Sequence, residues 1–359
     1  MKMSSTKFEI NIISKEWRKF MNIRKYPYVI AETAYSFEGD GEYLLEQTQR
    51  LPKEVNAIKY HMLYNITEYM DEKHSVFSLL QSWIISEEQW TRILKCAKEM
   101  KHDVIVLADD TSTVDYLEQH LDLVDGIEIH AACINDKELF DRIIDFANKY
   151  KKYMFIGISG FEIVELFDII QYLKEKQCTN VILMYGFQNY PTKVSDVQLD
   201  KIPKLKELLG FEIGYADHTG YDESFKEQMI KTAYTLGAKI QEIHYVLNEG
   251  EKRTDSVTAV SAERLKKIYE ELVLVDQAIG KCDLRLNEGE IKYLNFRKVV
   301  SYSKKLKSGH VITQDDIRFI RIENPIGQHH FSEELEYIGK TLVVDVVENQ
   351  EIQMEHFKE

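Results

Sequence analysis

Positive charge is in short supply in this 359-residue chain: 46 Lys and Arg stand against 60 Asp and Glu, a net charge of −14. Such a balance repels phosphate backbones and anionic lipid unless a local basic patch intervenes, so nucleic acid and membranes are set aside as main partners. Cysteine is scarce too. The four present, Cys96, Cys133, Cys178 and Cys282, show neither CxxC spacing nor the density of a disulfide scaffold, which predicts reduced thiols in a cytoplasmic setting. No apolar run reaches the length of a membrane span. The first residues, MKMSSTKFEINIISKEWRKF, mix charge and apolarity instead of leading from a basic start into an apolar run, so no targeting segment is expected.

What is present is rhythm. Runs rich in β-branched and aromatic residues recur at 29–34, 57–63, 103–109, 126–131, 153–159, 180–186, 212–218 and 238–247, separated by stretches of helical apolar spacing. Helices are expected at 86–100 and 136–150, opening on Ser86 and Asp136 as caps, and at 222–237, closing on Gly237. Eight such pairs over roughly 250 residues fit a TIM (β/α)8 barrel better than an open doubly wound sheet. A long helix at 261–280 should close it. Beyond that the pattern changes to short β-like pieces split by turns, so the expected division is an N-terminal extension at 1–22, a barrel at 23–283, a linker at 284–295 and a small domain at 296–359. The chain has no internal repeat beyond the βα period and no low-complexity tract.

Two histidines carry the sharpest chemical signal. His218 in GYADHT and His244 in QEIHYVL are 26 residues apart, each closing one of the last two strand candidates. If those strands are neighbours in a barrel, both imidazoles reach one rim and can share a divalent metal with positions left open for substrate. The competing reading makes His218 part of a capping or core polar pair with Asp217.

With these segments placed, the chain resembles the sialic acid synthase family, enzymes that condense phosphoenolpyruvate with an N-acylated amino sugar. IAETAYSFEGD (30–40), AIKYHML (57–63), GYADHT (214–219) and AKIQEIHY (238–245) follow the family's first, second, seventh and eighth strand motifs. KSGHVITQDDI (307–317) and IGKTLVVDVVENQEI (338–352) are similar to its C-terminal antifreeze-like (SAF, β-clip) domain. The resemblance spans nearly the whole chain.

It implies a metal, commonly Mn2+, with Mg2+ or Co2+ also suited, held by His218 and His244. Glu32, Lys59 and Asp217 are implied as catalytic. Glu32 would serve as an acid, base or sugar contact and Lys59 would meet the enolpyruvate, with a buried salt bridge between the two as the alternative, since a charge on an apolar strand is costly unless paired or working. Glu242, two residues before His244 and so on the same strand face, would orient the metal shell or neutralise Lys59. Gln188 and Tyr190 of YGFQNYPT (185–192), Asp255 of RTDSV, and Arg321 of RFIRIE match sugar-binding positions, although the loop around Asp255 lacks the family's proline and histidine. Arg321 implies a domain-exchanged homodimer, with a surface arginine as the alternative.

The phosphate side departs from the family. Leu107, Glu128, Ala131 and Gly157 stand where it has Thr, Lys, Ser and Ser, and Ser36 and Phe37 replace an Asn-His pair. A charge about 6 Å from a phosphate is worth roughly 3 kcal/mol at an effective dielectric of ~20, so Lys to Glu swings binding by on the order of 5 kcal/mol against phosphoenolpyruvate. His61 and His130, two residues beyond Lys59 and Glu128, should face the same interior. They belong either to a rebuilt ligand site or to simple carboxylate pairs. Three functions compete: a metal-dependent nonulosonate synthase for surface or spore-coat polysaccharide; the same scaffold with another donor or with aldol, lyase or isomerase chemistry; and a non-catalytic sugar-binding protein.

Overall fold

Tyr28–Glu32 (β1), Ala57–Met62 (β2), Asp103–Ala108 (β3), Gly126–Ile129 (β4), Tyr153–Gly157 (β5), Val181–Tyr185 (β6), Glu212–Asp217 (β7) and Ile240–His244 (β8) pair in parallel and in order. β8 returns to β1, closing the barrel. The computed structural model describes residues 23, 26–326 and 330–358, so the expected extension at 1–22 lies outside the described residues. These residues fall into two compact units divided between Gly280 and Lys281.

After each strand runs a helix: Gly41–Arg50 (α1), Glu87–Glu99 (α2), Thr111–Gln119 (α3), Lys137–Tyr150 (α4), Ile163–Glu175 (α5), Lys201–Leu209 (α6), Lys226–Thr235 (α7) and Ala262–Ile279 (α8). Their starts are chemically marked. Asp40, Ser86, Asp110, Asp136 and Ser261 each turn a side-chain oxygen onto backbone N–H groups of the first turn, which would otherwise have no partner. α7 begins four residues later than the apolar pattern indicates, at Lys226 instead of 222, because residues 222–225 form a turn in which Glu223 accepts from the Phe225 N–H.

Strand alternation sorts the core into two layers. Val29, Ala31, Ile58, Tyr60, Val104, Val106, Ile127 and Ile129 face outward and pack with the apolar stripes of the helices. Tyr28, Ile30, Ala57, Ile105, Phe155, Ile182, Met184, Ala216 and Ile240 form a separate cluster that fills the lumen. The inward positions then change character toward the strand ends, to Glu32, Lys59, His61, Glu128, Glu242 and His244. Because both faces are covered, most strands read as nearly unbroken apolar runs. Each also stops short of the end that its composition suggests, where the chain leaves the ladder for the rim loops.

In the second unit, Val299–Tyr302 (β9) pairs antiparallel with Ile317–Ile320 (β10), around a small core that includes Val300, Tyr302, Ile312, Leu342, Val346 and Ile352. The buried Asp316 carboxylate pins its turn, accepting from the Thr313 N–H and hydroxyl and meeting Lys304 at 2.9 Å and His310 at 2.8 Å. The stretch expected as a linker contains a helix, Glu288–Leu294, capped by Asn287.

Gly186, just past β6, has φ +144°, and a Cβ there would stand 2.0 Å from the Ala216 carbonyl oxygen. At Gly160, φ is +80° but a Cβ would meet nothing within 4 Å. Gly186→Ala should therefore cost on the order of 3 kcal/mol and Gly160→Ala about 1 kcal/mol. Urea unfolding of both variants checks this, and equal losses would refute the close approach of β6 and β7.

Candidate active site

Register builds the centre of the site. Glu32 stands opposite Lys59 on β2 and opposite His244 on β8, so three inward side chains share one level above the apolar lumen. The Lys59 ammonium lies 2.6 Å from Glu32, 2.8 Å from Glu128 and 2.8 Å from Glu242. The contact to Glu128 is a hydrogen bond, and Glu32 and Glu242 meet the ammonium as ion pairs. All four groups are buried. Burial alone would push Lys59 toward neutrality, but Glu128 and Glu242 outweigh it and hold the pKa above the ordinary lysine value. For Glu128, burial dominates the pull of Lys59 and lifts the carboxyl to about 7. Lys59 and Glu32 thus form the buried ion pair that was one of the two readings of these residues, and Glu242 neutralises Lys59.

On the β7–β8 side the His218 and His244 rings lie edge to face with centroids 4.8 Å apart. The Ala216 carbonyl accepts from His218 Nδ1 at 3.0 Å, which leaves Nε2 as the lone-pair nitrogen. His244 Nδ1 is buried without a hydrogen-bond partner among the described residues. Burial pushes both pKa values below the usual histidine range, His244 further because His218 and Lys59 add repulsion. Two neutral imidazoles, one with an unsatisfied buried nitrogen, fit a divalent ion as a two-nitrogen donor set. Among the described residues no group of three or more His, Cys, Asp or Glu is arranged to hold a metal, so the remaining ligands would be water or substrate oxygens.

Around these groups opens a cavity of about 840 Å³. Glu32, Lys59, His61, Glu128, His130, Gln188, Tyr190, His218, Glu242, His244 and Asp255 all line it, as do Leu107, Ala131 and Gly157. The Tyr190 hydroxyl donates to the Asp255 carbonyl at 2.7 Å, and the Asp255 carboxylate accepts from the Tyr35 N–H at 3.2 Å. Gln188 Oε1 is buried and has no partner. His61 meets Asp109 at 2.6 Å. His130 stands exposed, its Nδ1 accepting from the Ala132 N–H at 3.3 Å, and makes no carboxylate pair.

One expected site residue lies elsewhere. Asp217 is fully buried and absent from the cavity wall, accepting from Tyr215 and Thr219 hydroxyls and from the Lys226 ammonium. The reason is strand alternation: one residue before His218, it points into the helix layer. Arg321 belongs to the second unit, its guanidinium 5.0 Å from the Phe296 ring centroid. Conversely, Asp109 and Tyr35 were not foreseen. The Asp109-Asp110 pair closing β3 was the available signal, because polar groups at the C-terminal ends of barrel strands line active sites.

A family model described as the NeuB family matches residues 46–283. An uncharacterized protein of Methanocaldococcus jannaschii is 23% identical over 299 residues, covering 82% of this chain and 84% of its own. Pseudaminic acid synthase of Campylobacter jejuni is 28% identical over 165 residues, 46% of either chain. Among solved structures, spore coat polysaccharide biosynthesis protein E from Chromobacterium violaceum superposes with a TM-score of 0.78 at 18% identity, covering 93% of this chain and 100% of its own.

Lys59→Met should cost about 3–5 kcal/mol, because it leaves three buried carboxylates without their cation. For Glu128 the folded pKa is raised, so its contribution to stability is present below the ordinary glutamate range and is lost as pH rises toward about 7. Glu128→Gln should flatten that part of the stability profile between pH 4.5 and 7. Urea unfolding at a series of pH values reads both, and an unchanged slope in Glu128→Gln would sink the assignment.

Proposed function

This chain belongs to the NeuB family, and on that premise we propose that it is a nonulosonate synthase, joining a three-carbon enolpyruvate donor to the open-chain aldehyde of an N-acylated amino sugar. The observation that carries this reading is the His218–His244 pair, two neutral rings at 4.8 Å beside the Lys59 cluster in one cavity. A divalent ion held by these two histidines, Mn2+ or a similar ion, would supply Lewis-acid polarisation of the sugar carbonyl.

The chain's own groups do the rest. Lys59 offers its ammonium to the donor's carboxylate, in exchange with the surrounding glutamates. Gln188, whose buried Oε1 lacks a donor, suits the N–H of the acyl amide. Tyr190, braced on Asp255, forms a wall beside the two histidines, its ring 6.2 Å from His218 and 6.3 Å from His244. The match to pseudaminic acid synthase favours an acylated amino sugar of that class as acceptor, and the second unit is proposed to be an antifreeze-like β-clip. By the same family pattern, the active unit is proposed to be a cytoplasmic homodimer in which Arg321 contributes to sugar binding. Among the described residues no helix is long and apolar enough to cross a membrane.

A second reading has its own observation. Lys59 already faces three carboxylates, and Leu107, Ala131 and Gly157 bring no polar side chain that suits a phosphate. A donor without a phosphate, used in related carbonyl chemistry, fits that wall better.

Thermal shift with Mn2+ and phosphoenolpyruvate, separately and together, discriminates. The synthase predicts a larger stabilisation by the two together than by either alone, with phosphate release on adding an acylated amino sugar. Stabilisation by Mn2+ alone would select the second reading, and a response to neither would leave a non-catalytic sugar-binding protein. His218→Ala should abolish the Mn2+ response.

A further inference from the structure

His61 is built like a proton-transfer group. Its Nε2 lies 2.6 Å from Asp109 Oδ2, and that carboxylate's side chain is fully buried. The Tyr35 hydroxyl donates to the same oxygen at 2.9 Å, while its ring stacks on the imidazole at 4.1 Å and 29°. Burial would raise the Asp109 pKa, but His61, His130 and the Tyr35 hydroxyl together hold it below the usual aspartate value, so the carboxylate is charged. A charged acceptor on Nε2 fixes the proton there and turns the Nδ1 lone pair away from Asp109. His61 lines the cavity, and its Nδ1 has no hydrogen-bond partner among the described residues. Base and orienting carboxylate, with the Tyr35 ring stacked on the base, make a dyad aimed at bound ligand.

Its place on the barrel says which atom it serves. His61 lies two residues beyond Lys59 on β2, and β1 alone separates β2 from the β8 strand that carries His244. Strand spacing and rise put the two imidazoles on the order of 10 Å apart across the mouth, room for one small ligand between them. The dyad therefore faces donor chemistry next to Lys59 and stands apart from the carbonyl held near His218 and His244.

We propose that His61 is the general base that activates water in this reaction, with Asp109 and Tyr35 as its positioning residues. The inference rests on the synthase reading. As the donor's methylene carbon bonds to the aldehyde carbon, the carbonyl π pair moves to the acceptor oxygen and the donor's second carbon becomes cationic. A water lone pair then forms the bond to that carbon while one water proton passes to His61 Nδ1. The imidazolium passes this proton to water in the cavity, and water there protonates the acceptor alkoxide, so the two transfers cancel. The second proton leaves with the phosphate as the C–O bond to phosphorus-bound oxygen breaks and the ketone forms. Charge and atoms balance without an external acid. The titratable groups facing His61 are Asp109, Tyr35, His130 and Glu128.

Two readouts test it. In 15N-histidine-labelled, metal-free protein, His61 should be the Nε2–H tautomer. Asp109→Asn, whose amide can donate to Nε2, should turn it to Nδ1–H, with the His218 and His244 signals unmoved. In phosphate-release assays His61→Asn should lower kcat at least about a hundredfold, the scale of general base catalysis, with KM for phosphoenolpyruvate nearly unchanged, the Mn2+ thermal shift intact and partial rescue by added imidazole. Asp109→Asn should lower kcat comparably and shift the pH profile. Phosphate release by wild type with an unimpaired His61→Asn protein would overturn the inference alone, as would an Nδ1–H tautomer in wild type. No phosphate release by wild type overturns both the synthase reading and this role.

Discussion

Everything at the mouth of the barrel hangs on one ammonium. Lys59 sits where the lumen passes from hydrocarbon to ionised groups, and no carboxylate around it could stay buried without its charge. Three glutamates converge from β1, β4 and β8, so the cation ties distant parts of the closed sheet at one height. The histidines sit at or just above that level. Their spacing is inherited from the barrel and does not depend on loops finding one another.

Charge arithmetic then separates the two halves of the cavity. The β7–β8 side presents neutral nitrogen donors, which cost little to bury and suit a hard or borderline cation. The β2–β4 side presents one cation among three carboxylates, and a basic dyad above it. A polyanion entering there displaces internal partners before it gains any contact, whereas a metal at the two histidines meets the repulsion of Lys59 set against the attraction of Glu242.

Much of the site was legible in one dimension because strands impose a period of two. Glu32, Lys59, His61, Glu128, Glu242 and His244 fall on inward positions by counting alone, and the cavity contains each of them. The same count, applied to Asp217, sends it to the opposite face from His218, and chemical resemblance concealed that. Asp109 falls on the inward phase of the third run, two residues beyond Leu107, but no motif drew attention to it. Gln188 and Asp255, on loops, were reached only by motif. In the second unit short bridges such as Leu306↔Val346 and Val311↔Thr341 replace full strands, so alternation has too few residues to register.

Lys226, at the start of α7, never touches the cavity, yet it donates to the Asp217 carboxylate and to the Thr219 and Thr258 carbonyls. These belong to the end of the strand bearing His218 and to the segment just after Asp255. One solvent-free lysine thus works as a keystone, fastening the ends of two loops to a single helix. Ligand arriving at the rim meets a wall already locked in place, and whatever gating this enzyme needs must come from the facing side, where Met70, Val76 and Leu80 border the opening.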